Sequence, residues 1–184
     1  MAMVPLLQRA VRAVGESPLS ERLARAQELA YGPLIDRVVR SPLRTDALGH
    51  SLHPPLTDVT TGFWLSTSLL DAAGGPGSRR AATLLTGAGV VAAVPTALAG
   101  AGDWAVTSGR DRRTGAVHAL GADVATFLFI GSLVARLRGG HRLGAGLAAA
   151  GNLVVAGTGF LGGHMALRGG PAARVPATGG DGEP

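Results

Sequence analysis

The chain has no cysteine among its 184 residues. That excludes disulfides, thiolate zinc sites, iron–sulfur ligation by this chain, thiol nucleophiles and covalent c-type haem attachment. Lysine is absent too, so all 17 basic residues are arginine and a lysine-bearing phosphate loop is ruled out. Aromatic residues make up 4% and charged residues 16%, against about 25% charged in an ordinary soluble domain. Apolar and small residues take their place: 46% are hydrophobic, 29 are glycine, and mean hydropathy is +0.28. This balance argues against a water-soluble globule. An arginine-only basic complement beside excess alanine and glycine reads as coding bias of a GC-rich genome, so the net charge of +5 is not taken as a sign of nucleic-acid binding.

What is present is a set of long apolar runs. Ala81 to Gly102 is 22 residues without a charge, enough for a helix of about 33 Å. Leu143 to Leu167 has His164 as its only ionisable group, and Thr114 to Ala135 is interrupted only by His118 and Asp123. A fourth run, 56–74, holds Asp58, Asp71 and several Ser and Thr. There His53, Thr57, Thr60, Trp64, Thr67 and Asp71 recur every three or four residues, which places them on one helical face turned toward protein. Turns at 75–80, 103–113 and 136–142 are short and imply antiparallel neighbours. The sequence therefore predicts an all-α polytopic membrane protein, an up-down four-helix transmembrane bundle over residues 50–168 with spans near 56–74, 80–102, 115–135 and 143–166. Pro95 is expected to kink the second span.

Residues 1–49 carry seven arginines and no spanning run. Arg9 and Arg12 break the apolar core a signal peptide needs. Ser17-Pro18 reads as a helix start followed by a stripe of Leu19, Leu23, Ala26 and Ala30, and Pro33 as the start of a second short helix. These amphipathic N-terminal helices are expected to lie on the membrane surface. Residues 169–184 are Gly/Pro-rich and are expected to be disordered. Within reach of the spans, the side carrying the termini has eight arginines (37, 40, 44, 110, 112, 113, 168, 174) against five opposite (79, 80, 136, 138, 142). This predicts an inner-membrane protein with cytoplasmic termini.

Folding the spans into a bundle gathers His50, His53, His118 and His164 at the terminal side, joined by Asp58, Asp103 and Trp104. Ionisable groups in membrane segments are costly and mark function or an internal partner. Two chemistries suit this group. His53, His118 and His164 can ligate haem b, or line a quinone site, in a redox-associated subunit. The same three histidines with Asp58 or Asp103 can hold a divalent metal. The alternative is a structural belt in which His, Asp and Trp tie helix ends together within a non-enzymatic anchor or partner-binding subunit. Asp123 and Asn152 lie mid-span, where they are expected to hydrogen-bond to each other or relay protons. With no nucleophile–base pair or phosphate loop, the chain is read as no enzyme by itself, binding lipid rather than nucleic acid. Gly159-x-x-x-Gly163 allows close helix approach and oligomer formation.

GHSLHPPLTDVTTGFW at 49–64, DWAVTSGRDRRTGAVH at 103–118 and GFLGGHMALR at 159–168 resemble the bacterial membrane family called domain of unknown function 2231. The resemblance covers 46–168, with matches at Gly49, His50, Leu52, His53, Pro54, Asp58, Gly62, Trp64, Asp103, Trp104, Gly115, His118, Gly163 and His164. It implies a four-helix membrane protein, sometimes linked to a Rieske-type iron–sulfur domain. Such a cluster would belong to another chain, since this one has no thiolates.

Overall fold

The computed structural model describes residues 3–40 and 51–168. His50, Arg44, Arg174 and the expected tail at 169–184 lie outside the described residues. All regular structure among the described residues is helical: α1 (Met3–Glu16), α2 (Pro18–Val39), α3 (His53–Ala73), α4 (Arg79–Trp104), α5 (Gly109–Leu137) and α6 (His141–Arg168). α4, α5 and α6 are long and apolar enough to cross a membrane. α3, at 21 residues, has the length but carries more polar side chains.

Local chemistry sets most boundaries. The Ser17 hydroxyl accepts from the Leu19 N–H and Pro18 opens α2, as expected. Pro33 does not begin a new helix; it sits inside α2, where the missing N–H leaves the rest of the helix intact. α4 likewise runs through Pro95 as one helix. The connections are shorter than expected. α5 begins at Gly109, so Arg110, Arg112 and Arg113 belong to its first turns, and it continues to Leu137, so Arg136 is helical rather than in a loop. Gly75 (φ 62°) and Gly139 (φ 82°) take the left-handed turn after α3 and α5.

The packing is inside-out for a water-soluble protein. Buried positions are mostly small or polar, among them Ala82, Thr67, Thr86, Ser132 and Ala148, around a core of Trp64 and Phe129. Leu65, Leu69, Leu84, Val91, Phe127 and Leu153 are exposed on the outer faces. Small residues let helices approach, and large apolar ones face outward, which is how helices pack in lipid.

The bundle is an internal repeat. A shift of 65 residues lays α3 on α5: His53 on His118, Asp58-Val59 on Asp123-Val124, Trp64 on Phe129, Thr67 on Ser132 and Gly74-Gly75 on Gly139-Gly140. A shift of 62 lays α4 on α6: Gly89 on Gly151, Thr96 on Thr158 and Gly100 on Gly162. The three-residue difference is the 3-10 turn Pro76–Ser78 between α3 and α4. Equivalent residues meet each other across the molecule. The rings of Trp64 and Phe129 stack at 4.1 Å and 5°, those of His53 and His118 lie 6.2 Å apart, and Arg136 grips Asp71 with both terminal nitrogens. The contacts within each hairpin repeat as well. Trp64 packs on Gly89 and Phe129 on Gly151, leaving no room for a Cβ at either glycine. α3 and α5 run the same way, so these pairs mark a pseudo-two-fold axis along the bundle, the arrangement of parallel repeats in membrane proteins.

The arm departs from expectation. α2 does not turn its expected apolar stripe inward: Ser20, Ala24, Gln27, Ile35 and Val38 are buried, while Leu19, Ala26 and Ala30 are exposed and Leu23 is half-buried. It runs beside the first half of α5 and in the same direction. Arg113 pairs with Glu21, Gln27 donates to the Ala116 carbonyl (3.2 Å), and the Tyr31 hydroxyl lies 3.4 Å from Asp123. Arg37 and Arg40 therefore lie away from the terminal side, and Arg136, fully buried against Asp71, leaves the opposite count. α1 packs on α5 through Gly15, whose carbonyl accepts from Arg113 Nε, and with the start of α2 it brings exposed Arg9, Arg12, Arg22 and Arg25 to the terminal side.

Candidate functional site

Of the three expected histidines that are described, His53 and His118 come together and His164 does not; His50 lies outside the described residues. His53, in the first turn of α3, points its Nδ1 at the Thr96 carbonyl of α4 (3.0 Å) and lies on Gly100. His118, on α5, does the same to the Thr158 carbonyl of α6 (2.8 Å) and lies on Gly162. A glycine is needed at both places, since a Cβ there would fall within 3 Å of the ring. The two imidazoles face each other at 89°. The site is thus a pair, built twice by one local rule: a histidine on the first helix of each hairpin, and Thr-x-x-x-Gly on the second.

The other candidates are dispersed. His164 sits beside Phe160 in a cleft of about 220 Å³ between α1 and the ends of α5 and α6, lined also by Gln8, Arg12, Arg110 and Asp111. Asp103 accepts from the Ser51 hydroxyl. Trp104 Nε1 donates to the Arg112 carbonyl (2.9 Å), with the Arg112 guanidinium 4.8 Å over its ring. Asp58 is exposed on the outer face of α3 and does not join the group. Among the described residues, no three His, Cys, Asp or Glu side chains come together as a metal-binding group.

Asp123 and Asn152 do not pair. Asp123 turns outward toward Tyr31 of α2, whereas Asn152 of α6 donates inward to the Trp64 carbonyl (3.1 Å) and to Ser68 (2.7 Å) on α3. The helical phases separate them. The polar face expected on α3 is present: Thr60 bonds Thr96 (2.9 Å), Thr67 and Thr86 approach to 3.5 Å, and Asp71 takes Arg136. Arg136 is the functional-looking residue missed by sequence reasoning. Its signal was available, since the shift of 65 places it opposite Asp71.

The cleft at His164 and a second of about 300 Å³ at the other end, lined by Gly131, Val134 and Leu143, touch neither His53 nor His118.

No family model, curated protein or solved structure matches this chain.

Proposed function

We propose that the protein is a multi-pass inner-membrane subunit that holds a partner at the bilayer, with α3–α6 all crossing and the termini on the cytoplasmic side. One observation carries the anchor reading: at the terminal end, His53, His118, Asp103 and Trp104 each spend a polar atom joining helices or closing the turn between α4 and α5. That is what a structural belt requires. α3 crosses because it is the repeat of α5 and is long enough to span the core. The exposed arginines of α1 and early α2 support the cytoplasmic assignment. The resemblance to domain of unknown function 2231 suggests an iron–sulfur protein of the Rieske type as the partner held.

Topology is testable because the chain has no cysteine of its own. Ala13→Cys and Ser78→Cys should react with a membrane-impermeant thiol reagent from opposite sides; reaction from one side sinks the fourth span. Function is tested by deleting the gene and comparing membrane and soluble proteomes. An iron–sulfur protein moving to the soluble fraction is the expected result, and an unchanged distribution overturns the anchor. A reduced-minus-oxidised spectrum of the purified chain with stoichiometric b-type haem bands would instead establish the redox-subunit reading, with His53 and His118 as first ligand candidates.

A further inference from the structure

The belt uses only one nitrogen of each axial imidazole. A carbonyl oxygen can only accept, so Nδ1 of His53 and of His118 carries the proton given to Thr96 and Thr158, and Nε2 is the nitrogen with the free lone pair. Among the described residues neither Nε2 has a hydrogen-bond partner. This is the posture of a ligating histidine: the backbone carbonyl fixes tautomer and ring orientation, and the opposite nitrogen is left to bind.

The spacing of the two rings fits one ion. Two imidazoles that share one metal, with metal–nitrogen bonds of about 2.0 Å and about 1.1 Å from each nitrogen to its ring centre, have ring centres at most about 6.2 Å apart. The observed separation is 6.2 Å, with the ring planes at 89°. An ion needs none of the space a macrocycle does.

The donor set selects the class of ion. Among the described residues no carboxylate or third histidine completes the site, so there a zinc ion would lack two of its usual four ligands. Both donors are neutral, and in a low-dielectric bundle the cost of an ion's charge rises with its square, which disfavours divalent ions. A closed-shell monovalent ion that accepts linear two-coordination meets both conditions. We propose that His53 and His118 bind one cuprous ion through their Nε2 atoms on the pseudo-two-fold axis. This site is independent of the anchor reading, since its ligands are the nitrogens the belt leaves unused.

The test uses the full chain purified in detergent. Titrated anaerobically with cuprous ion buffered by a chromophoric chelator, the wild type and His164→Ala should retain one ion per chain, and His53→Ala or His118→Ala less than a tenth of that. Silver(I), a redox-inert stand-in, should shift the Nε2 resonances of only His53 and His118 in nitrogen NMR of the unaltered protein, a measurement that no misfolded variant can confuse. Retention unchanged in the double His→Ala variant, or silver shifts at His141 and His164 in place of the pair, overturns the proposal.

Discussion

Tyr31 is the only tyrosine in the chain, and its environment is set by one neighbour. The Asp123 carboxylate beside it pushes the phenol above its ordinary value, with burial adding to the effect. Below the unfolded phenol value of about 10, the proton is on in both folded and unfolded chains and the tie between α2 and α5 is intact. As pH rises past 10 and through the raised folded value, first the unfolded and then the folded chain loses the proton, and the stabilisation is lost with it. Phenolate absorbance reports this one group. Its midpoint should lie above 10 in the wild type and fall toward 10 in Asp123→Asn; equal midpoints would show that Asp123 does not govern Tyr31. At this scale the sequence was a mixed guide. It marked Asp123 and Asn152 as intramembrane polar residues, but a shared depth did not make them partners, because the helix phases turn one outward and the other inward.

Between elements, the strongest polar contact is the ion pair at the end of α3 and α5 away from the histidines. Arg136 is completely buried, grips both Asp71 oxygens and rests its Nε on Ser132, whose hydroxyl in turn donates to the Gly144 carbonyl. Removing one partner leaves a buried charge alone. Arg136→Ala should therefore cost about 3–5 kcal/mol, read as a lowered unfolding midpoint in detergent, whereas Arg138→Ala in the exposed turn should change it by less than about 0.5 kcal/mol. Equal, small effects would mean that water reaches the pair. The apolar helices α4, α5 and α6 were legible from hydropathy alone, since an uninterrupted apolar run has few alternatives to a helix; α1 was not foreseen, and the helix expected from Pro33 is part of α2. Helix ends were less so: Arg110, Arg112, Arg113 and Arg136, placed in loops by their charge, proved helical, each with a carboxylate or carbonyl to satisfy it.

For the whole molecule, the pseudo-two-fold makes a prediction that no single contact does. Positions 71 and 136 are equivalent, so their charges should be exchangeable provided the surroundings are exchanged with them. Arg136 lies against Gly144, where a Cβ would fall 2.6 Å from its side chain, and the equivalent of Gly144 in the first hairpin is the buried Ala82. Thr67 already stands where Ser132 does. Asp71→Arg alone should accumulate poorly, Asp71→Arg with Arg136→Asp should recover in part, and adding Ala82→Gly should raise its melting temperature further. If the triple variant is no more stable than the single charge reversal, the two hairpins are not equivalent in packing.

By itself the sequence determined that the chain is helical, that three helices are apolar enough to cross a membrane, and that α3 presents a polar face to protein. Composition and periodicity suffice for these because they depend on residue type along one element. Which histidines meet was decided only by the tertiary structure. All four candidates were assigned to the same end of the bundle, but depth along a span says nothing of rotation about it. The hairpin repeat turns His53 and His118 toward the axis and leaves His164 at the α1 cleft, and it fixes Nδ1 of each axial ring on a carbonyl that no sequence pattern names.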